Sequence, residues 1–250
     1  MNTTLITFSN IGFVFLTFVY IALLVRAIKK ALATVSWEPV KKSRFVRQII
    51  LCLVIWFVFV TVWSGSGVMA SFDLFPLNFM PVIAIPFVAM ILWVTLSQNL
   101  REVLHHISPS TILYLQSFRV FVEVILWMLF LAHAVPVQMT FEGRNFDILV
   151  GLTGPIVAFL VAINRVSKTM LIIWNVAGLC LLTNIVTIAI LSTPTPIRVF
   201  MNEPSNTIVA YFPTVLLPGF LVPLAYSLHF FSLKQALSWK SIKKYRVDHV

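Results

Sequence analysis

Apolar runs of about 20 residues, separated by short clusters of charge and turn residues, recur along the chain, which is the signature of segments that cross a bilayer. Divided at those clusters, the 250 residues predict seven helices, over 8–28, 46–67, 77–98, 112–133, 148–165, 169–192 and 209–232. The fold class that follows is an all-α integral membrane protein with seven transmembrane helices. The first run, beginning near Thr3, has no basic segment before it and no small-residue cleavage motif after it. It is therefore expected to remain as helix one rather than to act as a signal peptide.

Composition strengthens this reading. Hydrophobic residues make up 60% of the chain and charged residues 10%, with a mean hydropathy of +0.98, more apolar surface than a water-soluble core of this size can bury. The net charge of +10 would suggest nucleic acid in a soluble protein. Here the cations sit between apolar runs instead, and no nucleic-acid partner is expected. Arg26, Lys29, Lys30, Lys41, Lys42, Arg44 and Arg47 lie between the first two helices, Arg101 after the third, Arg165 and Lys168 after the fifth, and Lys234, Lys240, Lys243, Lys244 and Arg246 at the end. The alternate loops hold only Arg144 and Arg198. The positive-inside rule then places the N-terminus outside and the C-terminus in the cytoplasm, in a bacterial plasma membrane, with the basic loops facing anionic headgroups.

A repeat is superimposed on this plan. Phe75-Pro76, Pro81, Pro86, Leu96, Gln98 and Leu100 recur as Phe212-Pro213, Pro218, Pro223, Leu233, Gln235 and Leu237, at one offset of 137 residues. Arg26 and Lys29 recur as Arg165 and Lys168 at nearly the same spacing. Self-similarity of this kind predicts two three-helix units, 1–105 and 141–250, joined by a linker helix within 106–140. With one helix between them the units run parallel, giving a 3+1+3 bundle. In helix count and repeat this plan resembles the SWEET sugar transporters and, loosely, the microbial rhodopsins. The SWEET proline signature falls on other helices, and no lysine stands in the middle of helix seven to bind retinal, so no family residue is transferred.

The prolines carry a physical consequence, because each removes a backbone donor and frees a carbonyl that lipid cannot satisfy. Helices 3 and 7 are expected to be bent, with Pro81, Pro86, Pro218 and Pro223 either shaping the bundle or acting as hinges beside a midplane site. Glu123 falls near the centre of helix 4 and needs a partner or a proton there. Helical spacing puts Gln116 and Arg119 on its face, offering an in-helix ion pair that either locks helix 4 or couples protons to transport. Tyr226 and His229 on helix 7, Asn184 on helix 6 and Asn78 on helix 3 read as interhelical hydrogen bonds or as lining of a polar site. Asp147 is placed to cap helix 5, and the segment from Ser192 to Asn206 to fold over the outer mouth.

Cys52 and Cys180 lie in apolar segments without metal-ligand spacing and read as small packing residues, and the histidines lack the paired depth that haem ligation requires. No cofactor is expected, and no catalytic motif is present. The reading reached is a small-solute transporter with a midplane site between the two units and a carboxylate able to couple protons. The alternative is a non-catalytic module that binds a lipid, a cofactor or a partner subunit. Either would bind a small molecule or assemble as a homo- or hetero-oligomer.

Overall fold

A computed structural model describes residues 2–238. The tail positions Lys240, Lys243, Lys244, Arg246 and His249 lie outside the described residues. Within them the chain forms helices and turns without a strand: α1 (Thr3–Thr34), α2 (Pro39–Gly65), α3 (Met80–Leu96), α4 (Gln98–His106), α5 (Pro109–Leu115), α6 (Phe118–Leu131), α7 (Ile148–Ala162), α8 (Lys168–Leu191) and α9 (Val222–Leu237). Asn2, Ser97 and Ser167 cap α1, α4 and α8, each accepting a backbone N–H of the first turn, which satisfies donors that would otherwise be orphaned. At the other end of α6 and α7, His133 and Asn164 adopt positive φ. The next amide bonds back five residues, from Ala134 to Leu129 and from Arg165 to Leu160, a left-handed stop for each helix.

Length and composition mark four stretches able to cross a membrane: α1, α2, the α5–α6 pair and α8. A fifth is added if α3 and α4 are one span broken by a bend of 86°. The sequence reading ended helix 3 at 98, but the chain leaves helical geometry at Ser97. Beyond it α4 buries Leu100, Val103 and Leu104 and exposes Gln98, Arg101, Glu102 and His105, an amphipathic pattern suited to lying along an interface. α7 is apolar but has only 15 residues. The run predicted over 209–232 begins in a 3-10 turn and a π turn, Leu217–Leu221, before α9 starts.

Burial is inverted relative to a soluble protein. Leu51, Val54, Ile55, Val58 and Val62 form an exposed face on α2, while Gln116, Arg119, Glu123, Asn175 and His229 are each no more than 1% exposed. Apolar outside and polar inside is the arrangement a lipid solvent selects. Cys52 and Cys180, expected as packing residues, are exposed among these apolar surfaces. The largest core joins α1, α4, α6, α8 and α9 through Phe13, Leu16, Leu104, Leu126, Leu182 and Leu228.

The prolines are accommodated differently from one another. Pro81 occupies the first turn of α3, where its missing donor costs nothing, and Pro86 lies inside that helix. Pro218 sits in the π turn and Pro223 at the start of α9. The carbonyl that Pro223 cannot serve is that of Gly219, and it accepts instead from the Trp56 indole at 2.8 Å. At Gly219 a side chain would press on Val60 and Val82, so the missing Cβ lets α2 and α3 approach the π turn.

Candidate functional site

The centre of the molecule is built from α6 and the loop that returns to α7. The α5–α6 pair breaks at Gln116 and Ser117, where the backbone bonds tighten to i→i−3 and the Tyr20 hydroxyl meets that of Ser117 at 2.9 Å. Against this break lies α7, close enough that a Cβ at Gly151 would fall 2.7 Å from the Val120 nitrogen and one at Gly154 3.0 Å from the Leu113 carbonyl. Two glycines three apart thus bring the start of α7 down beside Arg119.

The expected Arg119–Glu123 ion pair does not form. Arg119 donates through Nη1 to Asp147 at 2.8 Å, with both side chains buried. Glu123 accepts from the Asn145 amide at 2.6 Å, and that amide also donates to the Met139 carbonyl at 3.0 Å. Asn145 Oδ1 in turn accepts from the Asp147 backbone. Asp147 stands at the N-cap position of α7, but its side chain caps nothing. Pairing with a buried guanidinium outweighs a cap hydrogen bond, since an unpaired charge there costs several kcal/mol. Sequence spacing identified Arg119 and Glu123; it missed that a loop between helices would supply both partners.

Beside this cluster lies a cavity of about 60 Å³ bordered by Arg119, Glu123, Asn145, Asp147 and apolar residues of α6, α8, the π turn and α9, including Leu182, Leu221 and Val222. It has room for a few waters or a very small solute. Arg119 Nε and Nη2 and Glu123 Oε2 are buried without a protein partner. Over its loop end, Gln138 donates to Ser192 at 2.9 Å and accepts from Asn202 at 2.7 Å. Asn184 donates to the Arg144 carbonyl at 2.9 Å, and the Arg144 guanidinium lies over Phe200. Arg198 pairs with Glu203 at 3.0 Å. That guanidinium, with the Ser205 backbone, holds the exposed Glu203 carboxyl below the usual carboxylate range. The 132–147 and 192–208 connections are therefore laced together.

The other residues singled out from sequence lie elsewhere. Gln116 is buried at the helix break with neither amide atom partnered. His229 bonds Asn175 at 2.9 Å, and Asn175 bonds Ser232; the imidazole packs on Trp174 and fills the space left by Gly178. Tyr226 meets Thr183 at 3.1 Å and stacks edge-on with Phe87. Asn78 donates to the carbonyls of Val68, Met69 and Ser71, closing the loop before α3. Of the proline positions, none borders the cavity, although Leu217 and Val222 beside Pro218 and Pro223 do.

No curated protein and no solved structure matches the chain. Residues 74–237, from just before α3 to the end of α9 and including Arg119, Glu123, Asn145 and Asp147, match the family model described as a domain of unknown function (DUF8737), and the chain belongs to that family.

Proposed function

We propose that the protein is a seven-span, N-out/C-in transporter for a small solute, built as a 3+1+3 bundle, with Glu123 able to carry a coupled proton. The observation that carries this reading is the half-open cavity edged by Arg119 and Glu123, where two buried guanidinium nitrogens and one buried carboxylate oxygen have no protein partner. Unsatisfied buried polar groups are costly, and a site retains them when a ligand or a proton completes them. In this topology the laced 132–147 and 192–208 loops lie outside, so the cavity is closed from that face. The π turn beside it gives α9 a hinge, since irregular backbone at membrane depth is tolerated where protein lines it.

The test is flux into proteoliposomes, with internal pH followed while a panel of amino acids, organic acids and sugars is added. The wild-type protein should acidify the lumen with at least one solute, and Glu123→Gln should lower that signal by at least tenfold. Glu123→Gln and Pro223→Ala variants that both move solute and protons like the wild type would overturn the reading. A second reading, a module for a partner membrane subunit, is favoured by the exposed face of α2. It predicts a stoichiometric subunit that co-purifies and leaves when Val54 and Val58 are changed to bulkier residues.

A further inference from the structure

The turn between α1 and α2 holds a second concavity, of about 460 Å³, that owes nothing to the Arg119 cavity. It is lined by Lys29, Lys42, Ser43 and Arg47 together with the apolar Leu32, Ala33, Val46 and Ile50. Three cations and four aliphatic side chains lining one groove match a ligand with an anionic head and hydrocarbon behind it. Among the described residues two ion pairs form, Arg119–Asp147 and Arg198–Glu203, and neither engages these cations. Glu38, Asp73 and Glu102, the first three carboxylates along the chain, do not border the groove, and Glu102 accepts from the Trp37 indole at 2.9 Å.

The surroundings set the depth. Trp37, in the same turn, packs edge-on against Phe45 and carries the Lys41 ammonium over its ring at 4.1 Å. Tryptophan with a lysine above it is a pairing of the headgroup level. Amphipathic α4 reaches the same level through its Trp37–Glu102 bond. Basic recesses between membrane helices at this level take phospholipid heads, and the volume lies within the range of specific ligand pockets.

We propose that this groove binds one anionic phospholipid, the phosphate held by Lys29, Lys42 and Arg47 and an acyl chain laid along Leu32, Val46 and Ile50. The site is independent of whether the central cavity transports. It also lies outside residues 74–237, the part of the chain that matches the family model.

The experiment counts lipids on the full-length detergent-solubilised protein by native mass spectrometry, titrating phosphatidylglycerol, phosphatidylcholine or inorganic phosphate. Phosphatidylglycerol should fill one site ahead of all others. Replacing Lys29, Lys42 and Arg47 together by Gln should weaken that site roughly hundredfold, at about fivefold per cation. Replacing Arg26, Lys30 and Arg44 by Gln removes the same charge from the same helices and should change it less than tenfold. Equal weakening by the two triple variants would mean diffuse attraction and overturn the site. Phosphatidylcholine binding as tightly as phosphatidylglycerol would reduce it to an apolar groove. Saturation by millimolar inorganic phosphate that expels the lipid would assign it to a soluble phosphate instead.

Discussion

At the scale of single residues, the feature that organises the interior is the placement of three ionisable groups within one buried cluster. Arg119 is neutralised by Asp147, and Glu123 is held by Asn145. Removing one member of a buried pair strands the other, at a cost of about 3–5 kcal/mol. Arg119→Ala should therefore lower stability by about that amount. Asp147→Asn keeps an acceptor for Nη1 but leaves the buried guanidinium without its counter-charge, and should cost a comparable amount. Unfolding in mixed detergent, followed by the loss of helical signal, measures both. Equal stability of Arg119→Ala and the parent would mean that the pair is not buried from lipid and water as described. The sequence disclosed Arg119 and Glu123 because charge in an apolar run is conspicuous. It concealed Asp147 because the same residue, placed just before a helix, has a sufficient local explanation as a cap. Asn145 was hidden for a related reason: in a polar loop, nothing in the pattern separates a residue facing solvent from one folded back into the bundle.

The elements show how backbone that helices cannot satisfy is completed by side chains from other parts of the chain. Pro223 leaves the Gly219 carbonyl without its helical donor, and Trp56 of α2 supplies one from 163 positions away. The bond links the proline-bearing turn to a helix that otherwise packs lightly, so Trp56→Phe should cost about 1–3 kcal/mol, the penalty of one buried unsatisfied carbonyl. Pro223→Ala restores an N–H to that carbonyl. The double variant should thus be less destabilised than the sum of the two single changes, a coupling of about 1 kcal/mol in a double-mutant cycle. Strict additivity would show that the carbonyl is satisfied by some other group. That prolines at 218 and 223 disturb helix 7 follows from sequence. That the disturbance is a π turn, and that α3 instead accepts Pro81 in its first turn, depends on which neighbours approach. Likewise the end of α3 at Ser97 and the sharp turn into α4 follow from capping and from the apolar face of 100–104, a short amphipathic signal that a search for long apolar runs passes over.

For the molecule as a whole, the decisive question is which solvent meets its outer surface, and two native cysteines are placed to answer it. Cys52 and Cys180 are free and exposed, one on α2 and the other on α8. In water such thiols are open to a charged reagent, whereas hydrocarbon excludes the charge and admits only an apolar one. A charged maleimide added to intact membranes should leave both unlabelled, and an apolar maleimide should reach them. Orientation can be read on the same background. Ser36, in the exposed turn between α1 and α2, and Met201, in the 192–208 loop, are both open to their surroundings. The proposed N-out/C-in orientation predicts that Ser36→Cys reacts with the charged reagent only after the cytoplasmic face is opened, and that Met201→Cys reacts from outside in whole cells. Labelling of Cys52 by the charged reagent would place α2 in water and remove the bilayer from the account. Labelling of Ser36→Cys in sealed cells would keep the bilayer but invert the chain, turning the laced loops toward the cytoplasm and the lysine groove toward the outer leaflet. The central cavity survives that inversion unchanged, but the direction from which a solute reaches Arg119 does not.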